Sequence, residues 1–294
     1  MKLSIITINF NNAEGLRKTL ASIAAQTYRD IEHIIVDGGS SDGSVDVIRE
    51  YAEGHTSDII HNTSHTIIWT SEQDKGIYNG MNKGILKATG DYVQILNSGD
   101  VLAAPDVIER LMKVIEEAKY PEIIYGNMLR DYGKGKLARD TCRGDIIDKS
   151  EEIRAERVEW TMDDFIKGTV NHDPTFIRAD IYKRYGLYDE NLKIVSDWKW
   201  FVNAVVFGGE KLYYVPIDVT IFDTTGISET NLAAREKERR AEMEKMLPAA
   251  ILRDYDNYHF PIEQYKRLKK HHLYGLVYFI ERVLFKLEKW HILR

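Results

Sequence analysis

Two short polar segments carry the side chains that could do chemistry. Asp74 and Lys75 stand next to each other just before a helical pattern, and Asn97 and Asp100 follow the apolar run Tyr92–Leu96. In open α/β sheets, ligands bind outside the carboxyl ends of the strands. An acidic residue at that position is well placed to hold a hard divalent cation, Mg²⁺ or Mn²⁺, against a diphosphate. Asn97 and Asp100 also fit a strand-to-loop turn in which Asp100 is a cap.

Asp37 is a further candidate, because it follows the apolar run Ile31–Val36 and opens the loop Asp37–Gly43. Its carboxylate could accept a hydrogen bond from a base N–H or a ribose hydroxyl. The same loop also fits an Asp-Gly turn that needs no ligand. Asp74 and Lys75 likewise fit either a contact with nucleoside and phosphate or a solvated pair that caps the next helix.

His172 and Asp197 are the candidates in the second half of the chain. His172, in Val170–Phe176, fits a structural histidine, and near a diphosphate and metal it fits a ligand or phosphate donor. Asp197 precedes a helical pattern, so it fits an N-cap or a general base that takes a proton from an acceptor hydroxyl. Cys142, the single cysteine, has no partner motif and is predicted to be inert.

Strand and helix patterns alternate from residue 3 to about residue 126, which predicts an α/β fold with a mostly parallel sheet. Residues 127–160 are charged and turn-rich, and we expect strands and loops that cover a cleft. Short helices are predicted at 163–167 and 179–185, a longer one at 197–206 and a strand at 211–215. We expect one domain over residues 1–230 and a C-terminal helical extension over 231–294.

The tail is aromatic and basic. Residues 263–294 carry eight Lys and Arg against three Glu, a net charge of +5 in a chain of net charge −6. Its apolar stripe fits a helix packed on the parent domain or on a dimer partner, and equally a membrane-surface helix that meets anionic lipid. The acidic total argues against general nucleic-acid binding. The lone cysteine and the lack of an apolar run of about 18 residues predict a cytoplasmic protein, at the inner face of the membrane if the tail binds lipid.

Five segments taken in order resemble the family 2 glycosyltransferases of the GT-A fold. They are Ser4–Asn11, Asp37–Ser44, Ser71–Gly84, Gly90–Asp100 and Gly186–Asp197. The resemblance covers about residues 1 to 230. It implies an inverting, metal-dependent enzyme that takes a sugar from a nucleotide-diphosphate sugar and gives it to a sugar or a lipid-linked sugar.

The resemblance also implies roles for individual residues. The implied nucleotide-sugar site consists of Thr7, Asn11, Asp37, Asp74, Lys75 and Asn97. Asp100 matches the metal-binding acid for Mn²⁺ or Mg²⁺, and His172 falls where a metal or phosphate role is expected. Asp197 matches the catalytic base.

The chain departs from the family pattern in its acidic motif. Gly99 stands where an Asp usually precedes the last acid, Asn97 replaces the first Asp, and Asn79-Gly80 replaces the commoner Asp-Ala. The Gln-x-x-Arg-Trp motif of processive synthases is absent, so transfer of one sugar in polysaccharide or lipid-linked oligosaccharide synthesis is expected. The alternatives are a sugar-nucleotide-binding scaffold without transfer and a nucleotidyltransferase, although the latter's Gly-rich phosphate loop is missing.

Overall fold

The structure is a computed structural model that describes residues 1–58, 66–132, 136–142, 153–224 and 230–289. It divides into two compact units, Met1–Arg235 and Glu236–Arg294. Parts of the predicted cleft-covering segment (133–135 and 143–152) and the end of the basic tail (290–294) lie outside the described residues.

The first unit contains one mixed sheet. Its strands are β1 Leu3–Asn9, β2 Ile31–Asp37, β3 Thr66–Ser71, β4 Tyr92–Ile95, β5 Val101–Leu102, β6 Ile123–Asp131, β7 Leu137–Asp140, β8 Glu156–Val158, β9 Thr175–Arg178 and β10 Leu212–Asp223. The strand order is β3-β2-β1-β4-β9-β6-β10-β5, with β7 on β6 and β8 on β10. β3, β2, β1 and β4 are parallel, and β6 and β10 are parallel, whereas β9 is antiparallel to both β4 and β6. The prediction of a mostly parallel sheet is confirmed.

Helices connect the strands and form the C-terminal unit. They are α1 Ala13–Ala24, α2 Ser44–Asp58, α3 Ile77–Lys87, α4 Val107–Glu117, α5 Met162–Lys167, α6 Ala179–Tyr185, α7 Ser196–Phe201 with a π-helical continuation Val202–Phe207, α8 Leu232–Met246, α9 Ala249–Lys270 and α10 Tyr274–Lys289. Among the described helices, none combines the length and the apolarity that a membrane crossing requires.

β1 shows why the strands of this sheet read as continuous apolar runs. All seven of its residues are buried. Leu3 and Ile5 belong to the same core cluster as Ile108 and Leu111 of α4. Ile6 lies under α3 on the other face, so close that a Cβ added to Gly84 would be 2.3 Å from its Cγ2. Because helices cover both faces, each side chain of the strand is apolar or hydrogen-bonded.

Strand β10 is longer than predicted. The sequence predicted residues 211–215 as a strand, but β10 runs on to Asp223. Pro216 lies inside it, at a register shift between Tyr214 and Asp218 in the pairing with β6. A proline within an apolar run argues against a strand interior, and this irregularity accommodates it. The extension matters because it brings Asp223 to the site described next.

Candidate active site

Asp37 lies at the carboxyl end of β2 and joins the ends of three strands. Its carboxylate accepts hydrogen bonds from Asn9 Nδ2 (2.7 Å), from the Ser40 amide (2.9 Å) and hydroxyl (2.5 Å), and from Ser71 Oγ (2.7 Å). Burial alone would raise the pKa of Asp37, but these donors outweigh it and the pKa lies below its ordinary value. Asp37 is therefore an ionised anchor, and a ligand would reach it by replacing Ser40 or Ser71.

Thr7 lies in the interior. Its side chain is fully buried, and its hydroxyl is 3.0 Å from His33 Nε2. The other ring nitrogen of His33 is 3.0 Å from the Tyr51 hydroxyl. Thr7 was predicted to contact the nucleotide, but the structure places it in this buried polar chain. A ligand would reach its hydroxyl only if neighbouring side chains moved, as is also the case for the fully buried Asp37.

Asn11 shapes the loop beside Asp37. It has a positive φ of 49°. Its Oδ1 accepts from the Ser41 backbone N–H (2.8 Å), and its own backbone N–H donates to Ser40 Oγ (2.8 Å). The preceding residue, Phe10, is 63% exposed. A Cβ built on Gly38 would lie 3.3 Å from its ring. Phe10 thus offers an aromatic face next to the Asp37 loop, a feature that the sequence interpretation missed.

Asp74 lies in a gap made by two glycines. A Cβ on Gly38 would be 2.8 Å from Asp74 Oδ2, and one on Gly80 would be 3.2 Å from the same oxygen. The other oxygen accepts from the Gly76 amide (3.0 Å), just before α3 begins. Lys75 is exposed beside it. The Asp74 carboxylate therefore lies at the rim of the Asp37 loop, and the exposed Lys75 follows it in sequence.

Asp197 forms the centre of a second group of side chains. Tyr78, from α3, donates its hydroxyl hydrogen to Asp197 Oδ1 (2.9 Å). His172 Nδ1 is 3.3 Å from Oδ2, and His172 Nε2 is 2.9 Å from Asn97 Nδ2. Asp173 Oδ1 is also 3.3 Å from Nε2. Protein groups thus engage both ring nitrogens of His172, and a metal ion could bind this ring only after releasing one of them.

The protonation states of this group are coupled. Burial would raise the pKa of Asp197, but the hydrogen bond and charge of His172 hold it below its ordinary value. Burial would lower the pKa of His172, but the Asp173 and Asp197 carboxylates raise it to about 9. Asn97 Oδ1 is buried without a hydrogen-bond partner. Flipping the Asn97 side-chain amide would let its Oδ1 accept a hydrogen bond from Nε2 of protonated His172. With Nδ2 towards the ring, as found, the amide donates to Nε2 of neutral His172.

Asp100 lies in a buried acidic group. Its Oδ1 accepts from the Asp223 amide (2.8 Å), and the Asp173 carboxyl lies close enough to interact with it. Burial, then the charges of Asp173 and Asp223, raise the pKa of Asp100 well above its ordinary value. Burial and the neighbouring carboxylates therefore favour the protonated form of this carboxyl.

The position of Asp223 bears on the missing acid of the motif. Gly99 has a φ of 110°, which favours glycine, and a Cβ there would be 3.1 Å from Asp223 Oδ2. The carboxylate of Asp223 therefore fills the space beside Gly99 where a side chain would project. Among the described residues, no group of three or more His, Cys, Asp or Glu side chains is arranged to hold a metal ion. The pair Asp100 and Asp223 supplies hard oxygens that fit Mg²⁺ or Mn²⁺ if diphosphate and water complete the coordination.

Helix α3 holds the loop that leads to Asp197. Asn79 Nδ2 donates to Glu190 Oε2 and Asn82 Nδ2 to Glu190 Oε1, both at 2.9 Å, and Asn82 also donates to the Tyr188 carbonyl (2.9 Å). Glu190 lies in the loop that leads to Asp197. An aspartate at position 79 would face the Glu190 carboxylate and be repelled by it, whereas Asn79 donates a hydrogen bond to it.

The structure thus brings the predicted residues into two groups and separates Thr7 from both. Asn11, Asp37, Asp74 and Lys75 surround the Asp37 loop, whereas Asn97, Asp100, His172 and Asp197 form the connected acidic group. The sequence interpretation missed Phe10, Tyr78, Asp173 and Asp223. Tyr78 and Asp173 lie within quoted motifs, so their polar type was a usable signal, whereas nothing near Asp223 marked it. Burial raises the pKa of Cys142 to about 12, which agrees with an inert thiol.

Comparison with known proteins decides the family. The family model described as "Glycosyl transferase family 2" matches residues 4–186, more than half of the chain. The chain belongs to glycosyl transferase family 2. The match covers the Asp37 loop, the Asp74 segment, Asp100 and His172, and ends before Asp197.

Two curated relatives of this family 2 glycosyltransferase come from mycobacteria. It is 30% identical over 233 residues to the uncharacterized glycosyltransferase Rv1514c of Mycobacterium tuberculosis (strain H37Rv), with 76% of each chain covered. It is 25% identical over 245 residues to a PGL/p-HBAD biosynthesis glycosyltransferase of Mycobacterium bovis (strain BCG / Pasteur 1173P2), covering 83% of this chain and 85% of that one.

Solved structures share the fold at low identity. S. aureus TarS in complex with UDP-GlcNAc matches with a TM-score of 0.58 and 17% identity over 78% of this chain and 61% of that one. The mannosyltransferase PcManGT from Pyrobaculum calidifontis in complex with GDP-Man and Mn²⁺ matches with a TM-score of 0.56 and 15% identity over 81% and 61%. The present chain covers less than two thirds of each of these solved chains. The structural similarity shows that it has the GT-A fold.

Proposed function

We propose that this glycosyltransferase moves a single sugar, with inversion, from a nucleotide-diphosphate sugar to a hydroxyl acceptor in polysaccharide or lipid-linked oligosaccharide synthesis. The carrying observation is Asp197, a carboxylate kept ionised by Tyr78 and His172 in the hydrogen-bonded group that also contains Asp100. A general base must be ionised and within reach of the acceptor hydroxyl. The side chain of Asp197 is 15% exposed and can therefore be reached.

The donor's nucleoside fits the first group of side chains. Phe10 supplies an aromatic face for the base. Ribose hydroxyls can replace the Ser40 and Ser71 hydroxyls as hydrogen-bond donors to the Asp37 carboxylate. Lys75 supplies a positive charge for the diphosphate at the start of α3. The solved structures with UDP-GlcNAc and GDP-Man support a nucleotide-sugar donor.

Asp100 and Asp223 are the residues that would hold a divalent cation. A bound Mn²⁺ or Mg²⁺ would neutralise charge on the leaving diphosphate as a Lewis acid. The hard oxygens of the two side chains and the Mn²⁺ in the PcManGT complex support this assignment. His172 is assigned to positioning Asp197 because Asn97, Asp173 and Asp197 surround its ring.

The transfer step uses Asp197. Its carboxylate takes the proton of the acceptor hydroxyl while the acceptor oxygen bonds to the anomeric carbon. The bond from that carbon to the diphosphate oxygen breaks, and the diphosphate keeps the electron pair. Attack from the face opposite the leaving group inverts the configuration. General-base assistance of this kind contributes about 10² to 10⁴-fold in rate.

A biosynthetic role is supported by the relative named for PGL/p-HBAD biosynthesis. Transfer of one sugar is supported by the missing Gln-x-x-Arg-Trp motif. The single cysteine, which cannot form an intrachain disulfide, fits the reducing cytoplasm.

Donor binding is tested by calorimetry with UDP-, GDP- and dTDP-sugars, with and without Mn²⁺. We expect one nucleotide to bind, with affinity that rises with Mn²⁺ in the wild type and rises much less in Asp100→Asn. The control is Asp163→Asn, a surface residue paired with Lys167. Absence of binding by every donor would contradict the proposal. Binding with neither transfer nor slow donor hydrolysis would favour a sugar-nucleotide-binding protein instead.

A further inference from the structure

Helix α10 of the C-terminal unit carries large apolar side chains that are exposed. At 100° per residue, five of them fall within an arc of about 140°. They are Leu276 (59% exposed), Phe279 (64%), Ile280 (46%), Val283 (39%) and Leu284 (44%). A stripe of this width is what a helix uses to pack on a core. Here all five side chains are more than a third exposed.

Basic residues lie directly before this helix. The last turn of α9 contains Arg267, Lys269 and Lys270, which are exposed. Residues 263–294 carry a net charge of +5, although the chain as a whole carries −6. The positive charge is thus concentrated beside the exposed apolar face, against the overall sign of the protein.

The exposed apolar face and the basic residues before it together favour one kind of binding partner. A second copy of the chain could cover the apolar face, but it would bring another +5 segment to the same place, and like charges repel. An anionic bilayer offers an acyl boundary for the apolar face and negative headgroups for the basic turn. A single weak membrane signal gives only marginal binding, whereas an apolar face with a polybasic segment supplies two.

We propose that helix α10 and the basic turn 266–270 dock on a membrane surface that contains anionic lipid, with the helix lying in the plane of the interface. This inference uses only the C-terminal unit and does not depend on the proposed transferase activity. It assigns to the membrane the face that the sequence left open between a packed helix, a dimer and a lipid surface.

Co-sedimentation of the full chain with phosphatidylcholine vesicles, with and without phosphatidylglycerol, tests the proposal. We expect binding that requires phosphatidylglycerol and weakens with salt. Phe279→Ser with Leu284→Ser should lower the partition coefficient more than tenfold, and Lys269→Glu with Lys270→Glu should do the same on anionic vesicles.

Matched controls change equivalent residues of the first unit. Leu86→Ser alters another exposed leucine (73% exposed), and Lys18→Glu with Lys113→Glu makes the same charge change as the basic-turn variant. Both should bind vesicles like the wild type, and melting temperatures should confirm that every variant is folded.

Two results would overturn the membrane assignment. One is equal binding, or none, to neutral and anionic vesicles. The other is a vesicle-free dimer, seen by light scattering, that the Phe279→Ser and Leu284→Ser variant dissociates, because this would assign the apolar face to a second copy.

Discussion

At the scale of residues, the proposed base is controlled by two side chains that point at its two oxygens. Tyr78 donates to Oδ1, and His172 lies beside Oδ2. Tyr78 is 119 positions away in sequence and only 5% exposed. It acts through Asp197, and we infer that it is a positioning residue.

Replacing Tyr78 with Phe removes this donor and keeps the ring. A hydrogen bond to a charged group contributes about 1.5–3 kcal/mol, so we expect kcat to fall roughly tenfold or more while the donor KM stays unchanged. The pKa of Asp197 should rise, which moves the acid limb of the kcat profile to higher pH.

The control for this variant is Tyr182→Phe. Its hydroxyl is 3.2 Å from that of Tyr188, in the same aromatic cluster, and the bond to Asp197 stays intact. If both variants gave the same pH profile, Tyr78 would have only a packing role.

His172 should make the folding stability fall as the pH rises into the alkaline range. The Asp173 and Asp197 carboxylates raise its pKa from 6.5 to about 9 against the effect of burial, so their stabilisation is fully present below pH 6.5 and is lost as the pH rises through 9. Chemical denaturation of the wild type should show a loss of at most about 3 kcal/mol over this window. His172→Gln should lose much less, and equal losses would contradict the assignment.

How far the site could be predicted differs from residue to residue. Asp37, Asp74, Asp100 and Asp197 stand in motifs with readable spacing. The contact between Gly99 and Asp223 could not be predicted, because it depends on how far β10 continues past Pro216. The burial of Thr7 follows from which face of β1 its side chain occupies.

At the scale of elements, helix α3 determines the shape of the site. Its Tyr78 is hydrogen-bonded to Asp197 and its Asn82 to Glu190. The helix packs directly on β1 at Gly84. This close approach requires glycine, since a Cβ at position 84 would be 2.3 Å from Ile6 Cγ2.

Gly84→Ala should therefore destabilise the protein although alanine favours helices. We expect a loss of about 1–3 kcal/mol in the free energy of unfolding from overpacking. Gly54→Ala in α2 is the matched control, because a Cβ there has nothing within 4 Å. It should gain about 0.5–1 kcal/mol from helix propensity. Urea denaturation measures both, and a stabilising Gly84→Ala would contradict the packing of α3 on β1.

Most elements of the first half could be predicted, and several later ones could not. The buried runs of β1 and β2 and the apolar stripe of α4 are strong patterns, and the structure confirms them. β9 was missed because its four residues are only half apolar and carry little periodicity, whereas the equally short β4 lies in the apolar run Tyr92–Leu96. Its antiparallel pairing with β4 and β6 makes the sheet mixed.

At the scale of the whole molecule, one sheet assembles a site from distant parts of the chain. Parallel strands β1 to β3 place the Asp37 loop and Asp74 at their carboxyl ends, while β4 and β10 bring Asp100 and Asp223 together. The fold and family thus rest on the whole pattern, whereas the transfer reaction rests on a few side chains, of which Asp197 is central.

The most direct test of this claim is the rate of sugar transfer by Asp197→Asn, measured together with donor affinity. The substitution keeps the shape of the side chain and the contact with Tyr78 but removes the basic oxygen. With the donor and acceptor identified, we predict that transfer falls about 10² to 10⁴-fold, while the calorimetric affinity for the donor and the activity of Asp163→Asn stay at the wild-type level. Transfer by Asp197→Asn at a rate near that of the wild type would contradict the account.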